Sequence, residues 1–297
     1  MIDKLEFLMA LAREQHFGRA AEACGVTQPT LSAGIKQLEE SMGVLLVHRG
    51  SRFHDLTPEG ERVLDWARRI VGDTRNMREE IKSLRHGLTG RLRLAAIPTA
   101  LAMVAALTTP FRERHPNVQF TVWSRTSADV LALLENLEID AGLTYLDNEP
   151  LGRVNAVPLY QERYQLLTSA DAPLGNRDRV TWKDVAQVPL CLLTPDMQNR
   201  RIIDDLLRAA GGAVQPTLES DSMILLFAHV RTGRWASVMP ARLAETLGLT
   251  ATIRAIPIVE PEAVHTIGLV VPPREPLTPL VAALVAEAKR MAATIPA

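Results

Sequence analysis

FGRAAEACGVTQPTLSAGIKQLEESMGVLLVHR, from Phe17 to Arg49, is the stretch that decides the fold of the amino-terminal part of the chain. Ala20, Ala21 and Ala23 suit a short helix ended by Gly25. Thr27 is placed as an N-cap, and Pro29 falls in the first turn of the next helix, where its missing N–H is not needed. That second helix runs to about Glu40, with Leu31, Ile35 and Leu38 on one face at spacings of four and three. Two short helices joined by a Gly-containing turn make a helix-turn-helix, whose second helix enters the DNA major groove with its N-terminal residues at base edges.

Burying Leu31, Ile35 and Leu38 leaves Thr27, Gln28, Pro29, Thr30, Ser32 and Lys36 on the outer face. Gln pairs with adenine through two hydrogen bonds, Ser and Thr serve bases or phosphates, and the Thr30 methyl suits thymine. Lys36 and Arg19 are placed for phosphates, which fix register without reading sequence. Taken singly, each of these residues also fits an ordinary capped helical hairpin; the whole string is far more specific.

Working outward, residues 3–13 put Leu5, Leu8, Met9 and Ala12 on one face of a helix that packs on the hairpin. After Gly43, VLLVHRGSRFHDLT reads as two short strands around Gly50, a wing whose tip is flanked by Arg49 and Arg52. These two arginines suit minor-groove or phosphate contact. Thr57 and Pro58 then open a long helix to about Arg85. Val63, Ala67, Ile70, Thr74, Met77, Ile81 and Leu84 form a seam with spacings alternating four and three, a heptad pattern that pairs a helix with its own copy. The alternative is a helix packed on its own body, but about 28 residues at ~1.5 Å each span about 40 Å, longer than a small domain. Gly87 and Gly90 break the helix and make a hinge.

Beyond the hinge the pattern changes to alternating strand and helix. Leu92–Ile97, Val118–Trp123 and Ala141–Tyr145 read as strands, separated by helices over Thr99–His115 and Ser127–Leu137. The order recurs, with strands at Pro189–Leu193, Thr217–Glu219 and Ala236–Met239 and helices at Asp196–Ala210 and Ser222–Thr232. Such βαβαβ runs predict mainly parallel sheets. Two similar α/β lobes with a cleft between them describe a periplasmic-binding-protein-like sensor, closed by a final helix over Thr278–Ala293.

Ligands of open α/β sheets bind beyond the carboxyl ends of strands. Four helices begin there, each beside a hydroxyl: Thr99, Thr126 with Ser127, Thr194 and Ser222. Free N–H groups at helix starts carry partial positive charge, so a shared cleft favours a small anion such as a carboxylate. Arg125 and Arg200 are candidates for counter-charge, and Ala100 and Thr144 complete the expected lining. The competing reading makes each hydroxyl a helix cap and nothing more. Asp196 and Asp221 are expected as caps or arginine partners.

Composition sets limits. At 297 residues the chain suggests two or three domains. Charge is balanced, 33 basic against 34 acidic for a net of −1, so the case for nucleic acid rests on local surface and not on overall charge. The start, MIDKLEF, carries two acids and lacks the look of an export leader. No apolar run approaches the ~18 residues that span a bilayer. Cys24 and Cys191 fall in different expected domains, which suits a reducing cytoplasm. No GxGxxG, P-loop, G-x-S-x-G or HExxH motif occurs, and no His/Cys cluster has metal-ligand spacing.

Residues 1–60 resemble the N-terminal domain of the LysR-type transcriptional regulators, through Phe17, Ala20, Ala21, Thr27, Gln28, Pro29, Ser32, Ile35, Leu38 and Glu39, then Gly43, Leu45, Leu46, Arg49, Arg52, Leu56, Thr57 and Gly60. Val47 and His48 depart from the family pattern, which has an aromatic residue and an acid there. The layout of the remainder also fits, so the resemblance covers the chain. It implies a winged helix-turn-helix over 1–58, a dimerising linker helix over 59–86, a hinge at 87–90 and an effector-binding domain over 91–297. Two chain crossings are implied, near Leu159–Arg163 and Pro257–His265, giving lobe I as 91–161 with 266–297 and lobe II as 162–265. Positions matching Thr99, Ser127 and Thr194 line the family's effector pocket. The implied partners are a double-stranded DNA operator, a second copy of the chain in a dimer and then a tetramer, a small-molecule effector and RNA polymerase. No cofactor, metal or membrane partner is implied. Some members sense peroxide through a cysteine pair, but Cys191 stands alone in its domain inside the apolar run PLCLL and reads as buried packing. The alternatives are an α/β enzyme, which would need an acid or base converging with a nucleophile, and a transport solute-binding protein, which would need an export signal.

Overall fold

The computed structural model describes residues 1–48, 55–212, 215–249 and 252–294. Contacts divide the chain into two compact units, the first comprising Met1–Leu88 with the short segments Glu135–Glu138 and Pro276–Pro279, the second the rest. Among the described residues, no helix is long and apolar enough to cross a membrane.

The first unit is helical. Helix α1 (Ile2–Glu14) is ended by Gln15 in a left-handed conformation. Helix α2 (Phe17–Ala23) is capped by His16, whose Nδ1 accepts from the Gly18 and Arg19 backbone N–H groups at 3.1 and 3.3 Å. After the turn at Gly25, α3 (Gln28–Met42) starts under its Thr27 cap. Leu5, Leu8, Leu11, Ala20, Ala21, Leu31, Ile35 and Leu38 form one core. Each of its large side chains contributes about 1.5–3 kcal/mol on burial.

Glu39 is also buried, and its Oε1 accepts from the Leu46 and Val47 N–H groups, tying the segment after α3 to the helix that precedes it. Val47 bridges Leu56 in antiparallel fashion; the tip between them, with Arg49 and Arg52, lies outside the described residues. Helix α4 (Pro58–His86) begins under Thr57, whose hydroxyl donates to the Leu45 carbonyl at 2.6 Å and accepts from the Gly60 N–H at 2.9 Å. A Cβ at Gly60 would sit 2.0 Å from the Leu46 carbonyl oxygen, so the helix start and the wing strand approach too closely for any other residue. Gly87 and Gly90 both have positive φ.

In the second unit, β1 (Gly90–Ala96) pairs in parallel with β2 (Val118–Ser124) and β3 (Ala141–Tyr145). The helices between them are α5 (Leu101–Arg114) and α6 (Ser127–Glu135). The helix expected from Thr99 begins instead as a 3-10 turn, Pro98–Ala100. Within each expected βαβαβ run the pairing is parallel, but strands that the sequence reading did not place join the runs antiparallel. The 15-residue β4 (Asn155–Ser169) pairs antiparallel with β10 (Val264–Val271) over 155–163, then with β8 (Ser237–Pro240) and β9 (Ile253–Val259) over 164–169. One strand therefore serves both lobes, and the chain changes lobe between Arg163 and Tyr164; the return lies between β9 and β10. The sheet order is β2-β1-β3-β10-β4-β9-β5, where β5 is Val180–Thr181 and leads into α7 (Trp182–Val185).

The second lobe carries a short parallel pair, β6 (Cys191–Leu193) with β7 (Leu218–Ser220), and a bridge from Leu190 to Ala236 links it to β8. Helices α8 (Gln198–Ala209), α9 (Met223–Val230) and α10 (Ala241–Leu247) cover it, and α11 (Pro279–Thr294) closes the chain.

Candidate functional site

On the outer face of α3, Gln28, Pro29 and Thr30 are exposed, while Ser32 is half-buried where full exposure was expected. The Thr27 hydroxyl caps the helix through the Thr30 N–H at 3.4 Å and lies 2.9 Å from the Thr30 hydroxyl. Lys36 faces Glu40 across 3.8 Å with both side chains exposed. Such a pair is worth at most about 1 kcal/mol, so it yields readily to a phosphate. Arg19 is exposed too, but its guanidinium donates to the Glu14 carbonyl at 2.6 Å.

The expected seam of α4 divides. Ala67 is fully buried and Val63 packs on the first unit's own core, so both are used within the chain. Ile70, Met77, Ile81 and Leu84 remain exposed, with the half-buried Thr74 among them. Trp66, which the sequence reading passed over, is 60 % exposed and continues this stripe toward the helix start.

In the second unit, an inner pocket of about 10 Å³ is lined by Ile97, Pro98, Thr99, Ser127, Tyr145, Leu193, Met197, Gln198 and Asn199. A wider space of about 240 Å³ shares Ser127 and Gln198 and adds Thr144, Glu149 and Leu151. The hydroxyls of Thr99, Ser127, Thr144 and Thr194 are buried and have no hydrogen-bond partner. Each such orphan costs about 1–3 kcal/mol of unrecovered desolvation.

The pairs of adjacent hydroxyls part company here. Thr126 caps α6 through the Asp129 N–H at 3.1 Å, whereas its neighbour Ser127 turns to the pocket. Ser222 caps α9 through the Leu225 N–H and lines neither space. Ala100 is buried behind the 3-10 turn. Arg125 is exposed, lines neither space, and donates to the Ser124 carbonyl. Arg200 is turned away, held by Asp204 at 2.8 Å, Glu219 at 2.7 Å and the Leu193 carbonyl. The counter-charge expected from these two arginines is therefore not at the pocket. Asp196 and Asp221 are exposed, and neither caps: α8 starts without a side-chain cap, and Ser222 serves α9.

Three polar residues of the inner pocket escaped the sequence reading: Tyr145, Gln198 and Asn199. Tyr145 ends β3, and the other two open α8, which starts two residues later than expected. They also join the lobes. Gln198 Nε2 donates to the Asp147 carbonyl at 3.1 Å, Asn199 Nδ2 donates to the Tyr145 hydroxyl at 3.0 Å, and Arg201 makes a two-pronged pair with Glu149.

Behind Tyr145 lies Glu162, 2 % exposed, whose Oε1 is bonded to the Tyr145 hydroxyl. Burial pushes its carboxyl up to about 8, against the lowering effect of hydrogen bonds from Tyr145 and Tyr164. Cys191 is fully buried between the Leu226 and Ala236 carbonyls, and burial pushes its thiol up to about 11. Among the described residues, no group of His, Cys, Asp and Glu could hold a metal ion.

A helix-turn-helix unit and a two-lobed ligand-binding unit in one chain define a DNA-binding regulator. Residues 2–61 match the family described as bacterial regulatory helix-turn-helix protein, lysR family, and residues 85–293 match the LysR substrate binding domain. The chain belongs to the LysR family of transcriptional regulators, which are not enzymes.

Among its relatives, the DNA-binding transcriptional dual regulator OxyR of Escherichia coli is 29 % identical over 93 % of this chain and 90 % of that protein. A full-length OxyR variant from Pseudomonas aeruginosa superposes with a TM-score of 0.74 at 25 % identity, covering 97 % of each chain. The full-length regulator CbnR, solved with its target DNA, shares the fold at a TM-score of 0.60 and 21 % identity, over 98 % of this chain and 99 % of that one.

Proposed function

We propose that this regulator binds a pseudo-palindromic operator and that a small anion in the inner pocket adjusts that binding. The orphaned hydroxyls of Thr99 and Ser127, which both line the inner pocket, carry this reading, with that of Thr144 in the adjoining space; Thr194 lines neither. No cation lines the pocket, so the recognition is by neutral donors: the hydroxyls together with first-turn N–H groups, which favour negative charge. The inner pocket itself, about 10 Å³, has room for about one water-sized group, so a small carboxylate reaches into it from the adjoining space of about 240 Å³.

Gln28 and Thr30 serve as base readers, with Thr27, Pro29, Ser32, Lys36 and Arg19 setting register. Residues 1–58 bind DNA, 59–86 dimerise through the exposed stripe of α4, 87–90 act as hinge, and 91–297 hold the effector. Dimers assemble further into tetramers and contact RNA polymerase, in the cytoplasm.

The peroxide sensing of some family members is not carried over. Cys24 and Cys191 lie in separate units, and Cys191 is buried away from the pocket lining with its thiol pushed up to about 11. A thiolate is the reactive form, so this cysteine is poorly suited to oxidation.

Thr99→Val tests the reading. The change removes an unpartnered hydroxyl at constant shape, so stability should hold or rise by up to about 1 kcal/mol. In a thermal-shift titration, acetate and succinate should stabilise the natural protein by mass action and the variant at least tenfold less well, with operator affinity unchanged. Equal shifts in both proteins, or loss of operator binding, would make Thr99 structural.

A further inference from the structure

Glu162 is unused by the DNA face and is not part of the pocket lining, yet it is buried one residue behind it. It sits on β4 at the crossing between lobes, opposite His265 of β10 in the strand register. Its Oε1 meets the Tyr145 hydroxyl, and its Oε2 is buried with no hydrogen-bond partner. An ionised carboxylate accepts through both oxygens and is left unsatisfied here. No lysine or arginine pairs with it among the described ion pairs, whereas the neighbouring Arg163 pairs with Glu262.

The groups around Glu162 offer it no counter-charge. Tyr145 faces it from β3, with Asp147 just beyond that strand adding negative charge. Tyr160 and Tyr164 lie two residues away on β4 itself, and burial pushes both hydroxyls well up, so they stay neutral. His265 stands over Tyr145 and Tyr164, but its Nδ1 is held by Asp147 Oδ1 at 3.3 Å and Asn148 Nδ2 at 2.9 Å. Asn199 of α8, which is uncharged, donates to the Tyr145 hydroxyl and also bonds Tyr164.

We propose that Glu162 is a positioning residue that decides which ligands the pocket admits: held uncharged, it fixes the Tyr145 hydroxyl and allows an anion to sit beneath it, and once ionised it expels that anion. The inference rests on the anion reading of the pocket. The raised position of its carboxyl, about 8, supports it. Anion binding should therefore take up a proton as the pH rises through that value, and the pocket should discriminate against anions in alkaline solution. Like charges brought together in a buried site each favour the other's neutral form.

Two measurements on the full-length protein test this. Difference infrared spectra should show a protonated-carboxyl band that is absent from Glu162→Gln and disappears near pH 8. No such band at about pH 6, where a buried carboxyl of this kind is protonated, overturns the proposal. Thermal-shift titrations with acetate, succinate and inorganic phosphate should give apparent affinities about tenfold weaker at about pH 9 than at about pH 7, and Glu162→Gln should remove that dependence while still binding. Anions that bind the natural protein equally at both pH values overturn the role of Glu162 and leave the anion site standing. Anions that bind at neither pH overturn the anion site itself, and this inference with it.

Discussion

Placing two carboxylates on the exposed stripe of α4, as Met77→Glu with Ile81→Glu, should separate the dimer into monomers. Met77 and Ile81 are 58 % and 52 % exposed, so a little over half of each side chain remains to be covered by a partner. Complete burial of such a side chain is worth about 1.5–3 kcal/mol, which leaves about 1–1.5 kcal/mol for each. Symmetry doubles every change, since a self-paired helix presents the same patch on both copies. Four side chains then amount to about 4–6 kcal/mol, before any repulsion between the new carboxylates is counted. At about 1.4 kcal/mol per decade, the dimer Kd should rise by about three to four orders of magnitude.

Sedimentation velocity at micromolar protein reads this directly, with helical content by circular dichroism as the check on folding. Binding to a two-half-site operator should fall with it, because each recognition helix would then act alone. An unchanged mass for the folded variant would show that α4 does not hold the copies together. The same argument assigns Ala67 no part, since it is already fully covered within its own unit.

Three further outcomes are expected from the geometry. Gln28→Ala should cost about 1–3 kcal/mol of discrimination at one operator position in a competition gel-shift, with salt-sensitive nonspecific binding retained; undiminished preference removes Gln28 from base reading. Native Cys191 should resist alkylation by iodoacetamide and survive peroxide as a free thiol, because it is fully buried and its thiol is pushed up to about 11; rapid labelling before unfolding contradicts that. In urea unfolding, the natural protein should lose stability relative to Glu162→Gln as pH rises from about 4.5 to about 8, and level off above. The sign is fixed because the folded state holds a proton that the unfolded chain has already released over that window. A parallel pH course for the two proteins would place Glu162 in an ordinary environment.

The first unit was legible because its signals are local. Thr27 and Thr57 each cap within three residues, and Pro29 and Pro58 sit in first turns. The His16 cap was not legible by the same rule, since an imidazole is not among the usual capping side chains. Nothing in the local sequence marks Glu39 as buried; the return of the chain at Leu46 and Val47 buries it.

In the second unit, helix starts were found but which of their side chains turns toward the pocket was not. Thr126 and Ser127 are adjacent hydroxyls, and which one caps and which one faces inward depends on the path into α6. The long β4 escaped notice because it answers to different partners along its length, so no single pattern of burial marks it. The cluster of Tyr145, Glu162, Tyr164 and Asn199 is assembled from two strands and a helix, and nothing in the local sequence brings those residues together.

Strand β4 also limits how the sensor can move. Its ladder changes partners between Arg163 and Tyr164, so the strand's own backbone, and not a shared rung, is what carries any movement from one half to the other. On the proposed function, a metabolite bound in the pocket would be felt along this one strand, with the residues flanking Arg163 and Tyr164 as its pivot.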